Sequence, residues 1–131
     1  MKLEHVALQV EDPIAVARWY VDHLGLTLAR EQHEPPHGRF LADDGRTVLV
    51  EVYRNPKAEV PDYRSLDPLV LHLAFTTEDV RGTRLRLIDA GATAEGEPQV
   101  NDAGDEMAML RDPWGVPIQI VRRKRSMIRA L

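Results

Sequence analysis

The chain contains one half-length pattern twice, and this repeat limits the possible folds more than any other feature of the sequence. His5 precedes Asp12 by 7 residues and His72 precedes Asp79 by 7; Asp12 to Gly25 is 13 and Asp79 to Gly91 is 12. The offset between copies is 72 − 5 = 67 residues. A unit of that size buries too little surface to close a core alone. Two copies therefore predict a pair of half-barrels that enclose a pocket.

Each copy reads βαβββ. Leu3 to Val10 alternates Val6, Leu8 and Val10 with His5, Ala7 and Gln9, which gives one packed face and one polar face. Asp12 suits an N-cap, Pro13 the first helical position and Gly25 the C′ position of a first helix. Strands are predicted at 26–32, 39–42 and 46–53, with a hairpin turn at Asp43-Asp44-Gly45. The stretch 55–68 carries Pro56, Pro61 and Pro68 and reads as a linker with a short turn at Tyr63-Arg64-Ser65. The second copy starts with a strand at 69–77 and a helix capped by Asp79 and ended by Ala90-Gly91. Strands follow at 93–100, 106–111 and 116–122, and Pro117 predicts an edge or a bulge in the last. The fold class is α+β: two tandem βαβββ modules forming curved mixed sheets around a pocket, helices outside. One domain spans residues 1–131, with module one at 1–54, the linker at 55–68, module two at 69–123 and a basic tail at 124–131.

Composition removes several function classes. Apolar residues make up 44% and charged residues 29% of the 131, which is globular and excludes disorder or coiled coil. Apolar runs are only a few residues long, so no transmembrane helix is expected. Met1 to Asp12 has neither an apolar core nor a cleavage motif, so no signal peptide is expected. There is no cysteine, hence no disulfide and no thiolate chemistry, which is compatible with a cytoplasmic location. The net charge of −4 argues against a nucleic-acid partner. Arg122, Arg123, Lys124, Arg125 and Arg129 form the one basic cluster and read as a solvated tail.

The repeat also pairs the chemistry. His5 is set against His72, and Glu51 against Gln119; His5 to Glu51 is 46 residues and His72 to Gln119 is 47. All four sit in predicted strands, pointing away from the aliphatic face. Polar groups on an enclosed face are costly unless satisfied. Two imidazoles, a carboxylate and an amide oxygen from two equivalent halves would satisfy a divalent metal. The alternative is a polar pocket with no ion. His23, His33 and His37 fall at a helix end and around a loop and read as exposed.

The motifs Leu3-Glu4-His5-Val6-Ala7-Leu8-Gln9-Val10-Glu11-Asp12, Trp19-Tyr20 before Leu24-Gly25-Leu26, Leu71-His72-Leu73-Ala74-Phe75, and Asp112-Pro113-Trp114-Gly115 before Ile118-Gln119-Ile120 carry a family resemblance. The chain resembles the vicinal oxygen chelate superfamily of glyoxalases, thiol transferases, extradiol dioxygenases, epimerases and bleomycin-binding proteins. The resemblance runs to about Arg123, and it speaks to fold more than to reaction. It implies that His5, Glu51, His72 and Gln119 are the metal positions, for Ni, Zn, Mn or Fe. Gln119 departs from the glutamate common at the fourth position. An amide offers a carbonyl oxygen to a metal but cannot act as a base, which leaves Glu51 as the catalytic base. With neutral histidines the ion would keep a charge of +2 − 1 = +1, making it a stronger Lewis acid but more weakly held.

Tyr53 shares the face of Glu51. Met107 and Met109 alternate on one face of the seventh strand, and Trp114 precedes Gln119; these are the candidate substrate-pocket residues. Arg30 and Arg39 read as surface arginines. The resemblance implies a glyoxalase-like isomerase or lyase acting on a small metabolite with vicinal oxygens, assembled as a homodimer. Two alternatives are a metal-free drug-binding protein of the bleomycin-resistance kind and an extradiol-type dioxygenase. The first has little stacking surface with aromatics at 5%. The second normally has a glutamate where this chain has Gln119.

Overall fold

Each copy of the repeat folds in the order its pattern predicts. The computed structural model describes residues 1–128, and the chain divides into two units at Pro61 and Asp62. Arg129, the last basic residue of the tail, lies outside the described residues.

In the first unit, β1 (His5–Gln9), α1 (Pro13–Leu24), β2 (Thr27–Glu31), β3 (Arg39–Ala42) and β4 (Leu49–Tyr53) follow one another. The sheet order is β1-β4-β3-β2, with β1 parallel to β4 and the other pairs antiparallel. Asp12 accepts a hydrogen bond from the Ala15 N–H at 3.0 Å, Pro13 opens α1, and Gly25 closes it at φ 73°. That φ is left-handed, where glycine carries no steric cost. α1 packs on one sheet face, burying Val16, Ala17, Trp19 and Tyr20, and that core includes Leu8, Leu41 and Val52. Each fully buried side chain of this size contributes about 1.5–3 kcal/mol relative to exposure.

The second unit opens with a short 3-10 turn at Tyr63–Ser65. It continues through β5 (Leu73–Thr76), α2 (Val80–Asp89), β6 (Thr93–Val100), β7 (Glu106–Arg111) and β8 (Pro117–Arg122). Its sheet order is β5-β8-β7-β6, again with one parallel pair, β5 with β8. Asp79 caps α2 by accepting from the Gly82 N–H at 2.9 Å. Val80 and Leu87 bury against Leu110, Ile118 and Ile120.

Three details differ from the sequence reading. β1, β4 and β5 are shorter than predicted, because parallel pairing begins only at His5↔Leu49 and at Leu73↔Ile118. Leu69 and Val70, placed in a strand by their apolarity, are instead 86% and 72% exposed in a turn closed by Val70 N–H donating to the Asp67 carbonyl. Pro117 marks neither an edge nor a bulge: β8 lies inside its sheet, and Pro117 is its first residue, paired with Arg111 in unbroken register. A strand's first position is one that proline tolerates. Within the second unit, Arg64 donates to the Pro113 carbonyl and Arg111 to the Tyr63 carbonyl, which fixes the 3-10 turn against the Asp112–Gly115 turn. No helix among the described residues is long and apolar enough to cross a membrane.

Candidate functional site

Strand register decides where the polar residues go. In the first unit Ala7 pairs with Glu51, and Glu51 pairs on its other side with Phe40. These residues share the face away from α1. His5, two residues before Ala7, lies on the same face, and its Nε2 is 3.5 Å from Glu51 Oε2. Phe40 meets the His5 ring edge-on, with centroids 5.8 Å apart. Tyr53, paired with Gln9, continues the face.

The His5 ring is oriented by its other nitrogen. Nδ1 lies 2.8 Å from Glu4 Oε1. A carboxylate only accepts, so Nδ1 carries a proton, and in the neutral ring Nε2 presents a lone pair. That lone pair faces a carboxylate whose side chain is 15% exposed. A proton on Nε2 or a bound cation would each satisfy this contact.

The second unit repeats the register. Ala74 pairs with Gln119 as Ala7 pairs with Glu51. Gln119 pairs on its other side with Met109, and its Nε2 approaches Met107 Sδ at 3.9 Å. His72 lies two residues before Ala74 and its Nδ1 is 2.7 Å from the Pro68 carbonyl. A carbonyl also only accepts, so in the neutral ring His72 again presents Nε2 as a lone pair. A pocket of about 220 Å³ beside Gln119 is lined by Met107, Met109, Gln99, Glu95 and Glu97 among others.

The structure thus brings His5 to Glu51 in one unit and Gln119 to Met107 and Met109 in the other. Trp114 sits in the turn that starts β8, its N–H donating to Asp112 Oδ1. Among the described residues no group of three or more His, Cys, Asp or Glu forms a ready metal cluster; His5 and Glu51 come together as a pair in the first unit. The donor chemistry fits a divalent ion. In the first unit the neutral His5 ring would offer Nε2 beside the Glu51 carboxylate, and in the second the neutral His72 ring would offer Nε2 with Nδ1 held by the Pro68 carbonyl.

Other expectations need correction. Arg39 is not a surface arginine: it is 6% exposed, and its Nη1 donates to the carbonyls of Gln32, His37 and Gly38. The reason is the loop after β2, whose carbonyls turn inward and need a donor. His23 is half-buried, its ring 5.3 Å from that of Trp19. His37 is half-buried, with Nδ1 enclosed and unbonded. His33 is exposed, as its loop position predicts.

Sequence reasoning missed Glu4, the Pro68 carbonyl and Gln32. Glu4 adjoins His5, but nothing in an alternating pattern says that neighbours on opposite faces will bond. The Pro68 carbonyl carries no side-chain signal. Gln32 ends a predicted strand without any motif.

Comparison with known proteins places this geometry. Residues 2–120 match the family model described as Glyoxalase/Bleomycin resistance protein/Dioxygenase superfamily. An ethylmalonyl-CoA/methylmalonyl-CoA epimerase from Cereibacter sphaeroides is 29% identical over 123 residues, covering 83% of this chain and 87% of the relative. A glyoxalase family protein from Enterococcus faecalis superposes with a TM-score of 0.69 at 27% identity, covering 92% of this chain and 97% of that one. TnmS3, an antibiotic-binding protein from Streptomyces sp. CB03234, shares the fold at a TM-score of 0.70 and 21% identity, with coverage of 92% and 93%. The repeat, the sheet order and the match across nearly the whole length lead to one conclusion: the chain belongs to the glyoxalase/bleomycin resistance protein/dioxygenase superfamily.

Proposed function

We propose that this protein is a divalent-metal-dependent isomerase that moves a proton at the carbon beside a carbonyl of a small metabolite with neighbouring oxygens. His5, Glu51, His72 and Gln119 are the proposed ligands, and Glu51 the base. The observation that carries the reading is the shared orientation of the two imidazoles. His5 and His72 each set Nδ1 against an oxygen acceptor, which in the neutral rings leaves Nε2 as the ligating atom, and the His5 Nε2 faces Glu51. The epimerase relative supports isomerase-type chemistry.

A bound divalent ion would polarise the substrate carbonyl and so acidify the adjacent C–H. The residues supply the rest. Glu51 takes the proton from the carbon beside the carbonyl and delivers it to the former carbonyl carbon, because Gln119 cannot accept one. Glu4 and the Pro68 carbonyl hold the imidazoles in one tautomer. Tyr53, Met107, Met109 and Trp114 are the proposed substrate-pocket residues. Met107 and Met109 offer an adaptable apolar surface. The reading includes a homodimer, for which light scattering should give twice the 14.8 kDa chain mass; a monomer at micromolar concentration removes that part.

Two measurements test the function. Metal-loaded protein should catalyse exchange of the α-proton with deuterated solvent for a panel of 2-oxygenated carbonyl compounds and 2-carboxyacyl thioesters. Glu51→Gln should lose at least about 100-fold of that exchange, the usual scale of a general base. Protein that takes up less than one nickel, zinc, manganese or iron ion per chain overturns the reading. Tight ligand binding that survives a chelator, with no exchange, would favour the metal-free binding protein instead.

A further inference from the structure

The loop after β2 brings a side chain to Glu51 that the ligand set does not include. Gly38 is buried, and a Cβ placed there would lie 2.9 Å from Gln32 Oε1 and 3.3 Å from Glu51 Oε1. The tips of Gln32 and Glu51 therefore share the space over a residue with no side chain. The arrangement is built. The Gln32 N–H donates to the Gly38 carbonyl at 2.9 Å, and the Gln32 carbonyl accepts from Arg39 Nη1 at 2.7 Å. The same guanidinium reaches the His37 and Gly38 carbonyls at 3.0 and 3.2 Å, so one buried cation pins both ends of the loop.

We propose that Gln32 is a positioning residue for Glu51: its amide donates a hydrogen bond to Oε1 and keeps Oε2 turned toward His5. The two ends of a side-chain amide are told apart only by their partners. A carboxylate accepts and never donates, so the nitrogen end of the amide is the one that belongs beside Oε1. His5 lies 3.5 Å from Oε2, and Oε1, the other oxygen, is the one that borders the Gly38 position together with the Gln32 tip. With Oε1 tied down, the carboxylate presents one oxygen in a fixed direction. Gly38 is side-chain-free because any Cβ would press on both tips.

The inference rests on the proposed role of Glu51 as metal ligand and base, and the test separates the two. Nickel and zinc would be titrated calorimetrically into the parent, Gln32→Met, Gly38→Ala and Glu51→Gln, and metal-free melting recorded for each. Gln32→Met keeps length and removes the donor. Gly38→Ala displaces the amide tip, and the φ at Gly38 lies outside the left-handed region, so alanine is tolerated by the backbone. Removing an outer-sphere partner weakens metal binding by about 10–100-fold. Both variants should show a loss of that size with metal-free melting unchanged. Parent-like affinity in both, beside a loss in Glu51→Gln, overturns the role of Gln32 and leaves the function standing. A fall in metal-free melting that tracks the affinity loss makes the role merely structural and also overturns it. A parent that binds neither metal overturns the function, and this inference with it.

Discussion

Gln119 stands where the family resemblance implies a glutamate, a difference of one charge, and that charge would set how a metal is held in the proposed site. An amide oxygen donates less to a cation than a carboxylate does, so Gln119 is the weakest member of the proposed set. Gln119→Glu adds a negative charge at ligand distance, where Coulomb energies reach several kcal/mol. Metal affinity should rise by about one to two powers of ten, since about 1.4 kcal/mol is tenfold. Glu51→Gln should lower it. Isothermal titration of the two variants checks both signs; no change in either removes these residues from the ligand set. At this scale the sequence was partly legible. The repeat paired Glu51 with Gln119, and the strand register repeats with it: Ala7 pairs with Glu51 as Ala74 pairs with Gln119. It did not locate Glu4, Pro68 or Gln32, whose roles depend on a backbone carbonyl, a ring orientation and the course of a loop, none of which leaves a spacing.

The elements were legible where local chemistry decides them. Asp12-Pro13 and Gly25 bound α1, and Asp79 starts α2, because caps and left-handed glycines act within one turn. Strand lengths were less legible, since β1, β4 and β5 extend only as far as their partners run. Apolar Leu69 and Val70 misled because the Asp67-Pro68 turn outweighs β propensity there. Two substitutions test the account of the caps. A methyl at Gly25 would meet nothing within 4 Å, so Gly25→Ala carries only the strain of φ 73°, about 1 kcal/mol. Asp79→Ala removes the bond to the Gly82 N–H and should also cost about 1 kcal/mol. Urea unfolding midpoints measure both, and midpoints equal to the parent's would show that the caps carry no stability.

For the molecule as a whole, the net charge of −4 conceals an uneven distribution of acid-sensitive contacts. Asp105 is held below the ordinary carboxylate range, chiefly by the Lys124 N–H and then by the Arg123 guanidinium, which donates to Oδ2 at 2.8 Å. Asp62 is likewise lowered, first by the Ser65 hydroxyl. Both belong to the second unit. A carboxylate with a depressed folded-state pKa binds its proton more readily in the unfolded chain. Its contribution is therefore complete above the unfolded value of 3.8 and is lost as pH falls through the lower folded value. Stability should hold steady through neutral pH and decline below about 4. Asp105→Asn keeps the shape and drops the charge, so the variant should be less stable than the parent at neutral pH and lose less on acidification. The two urea midpoints should converge as the parent's Asp105 is protonated. If the gap between them is instead constant from neutral to acid pH, the Lys124 and Arg123 contacts do not stabilise the charged form of Asp105, and the acid sensitivity of the fold lies elsewhere.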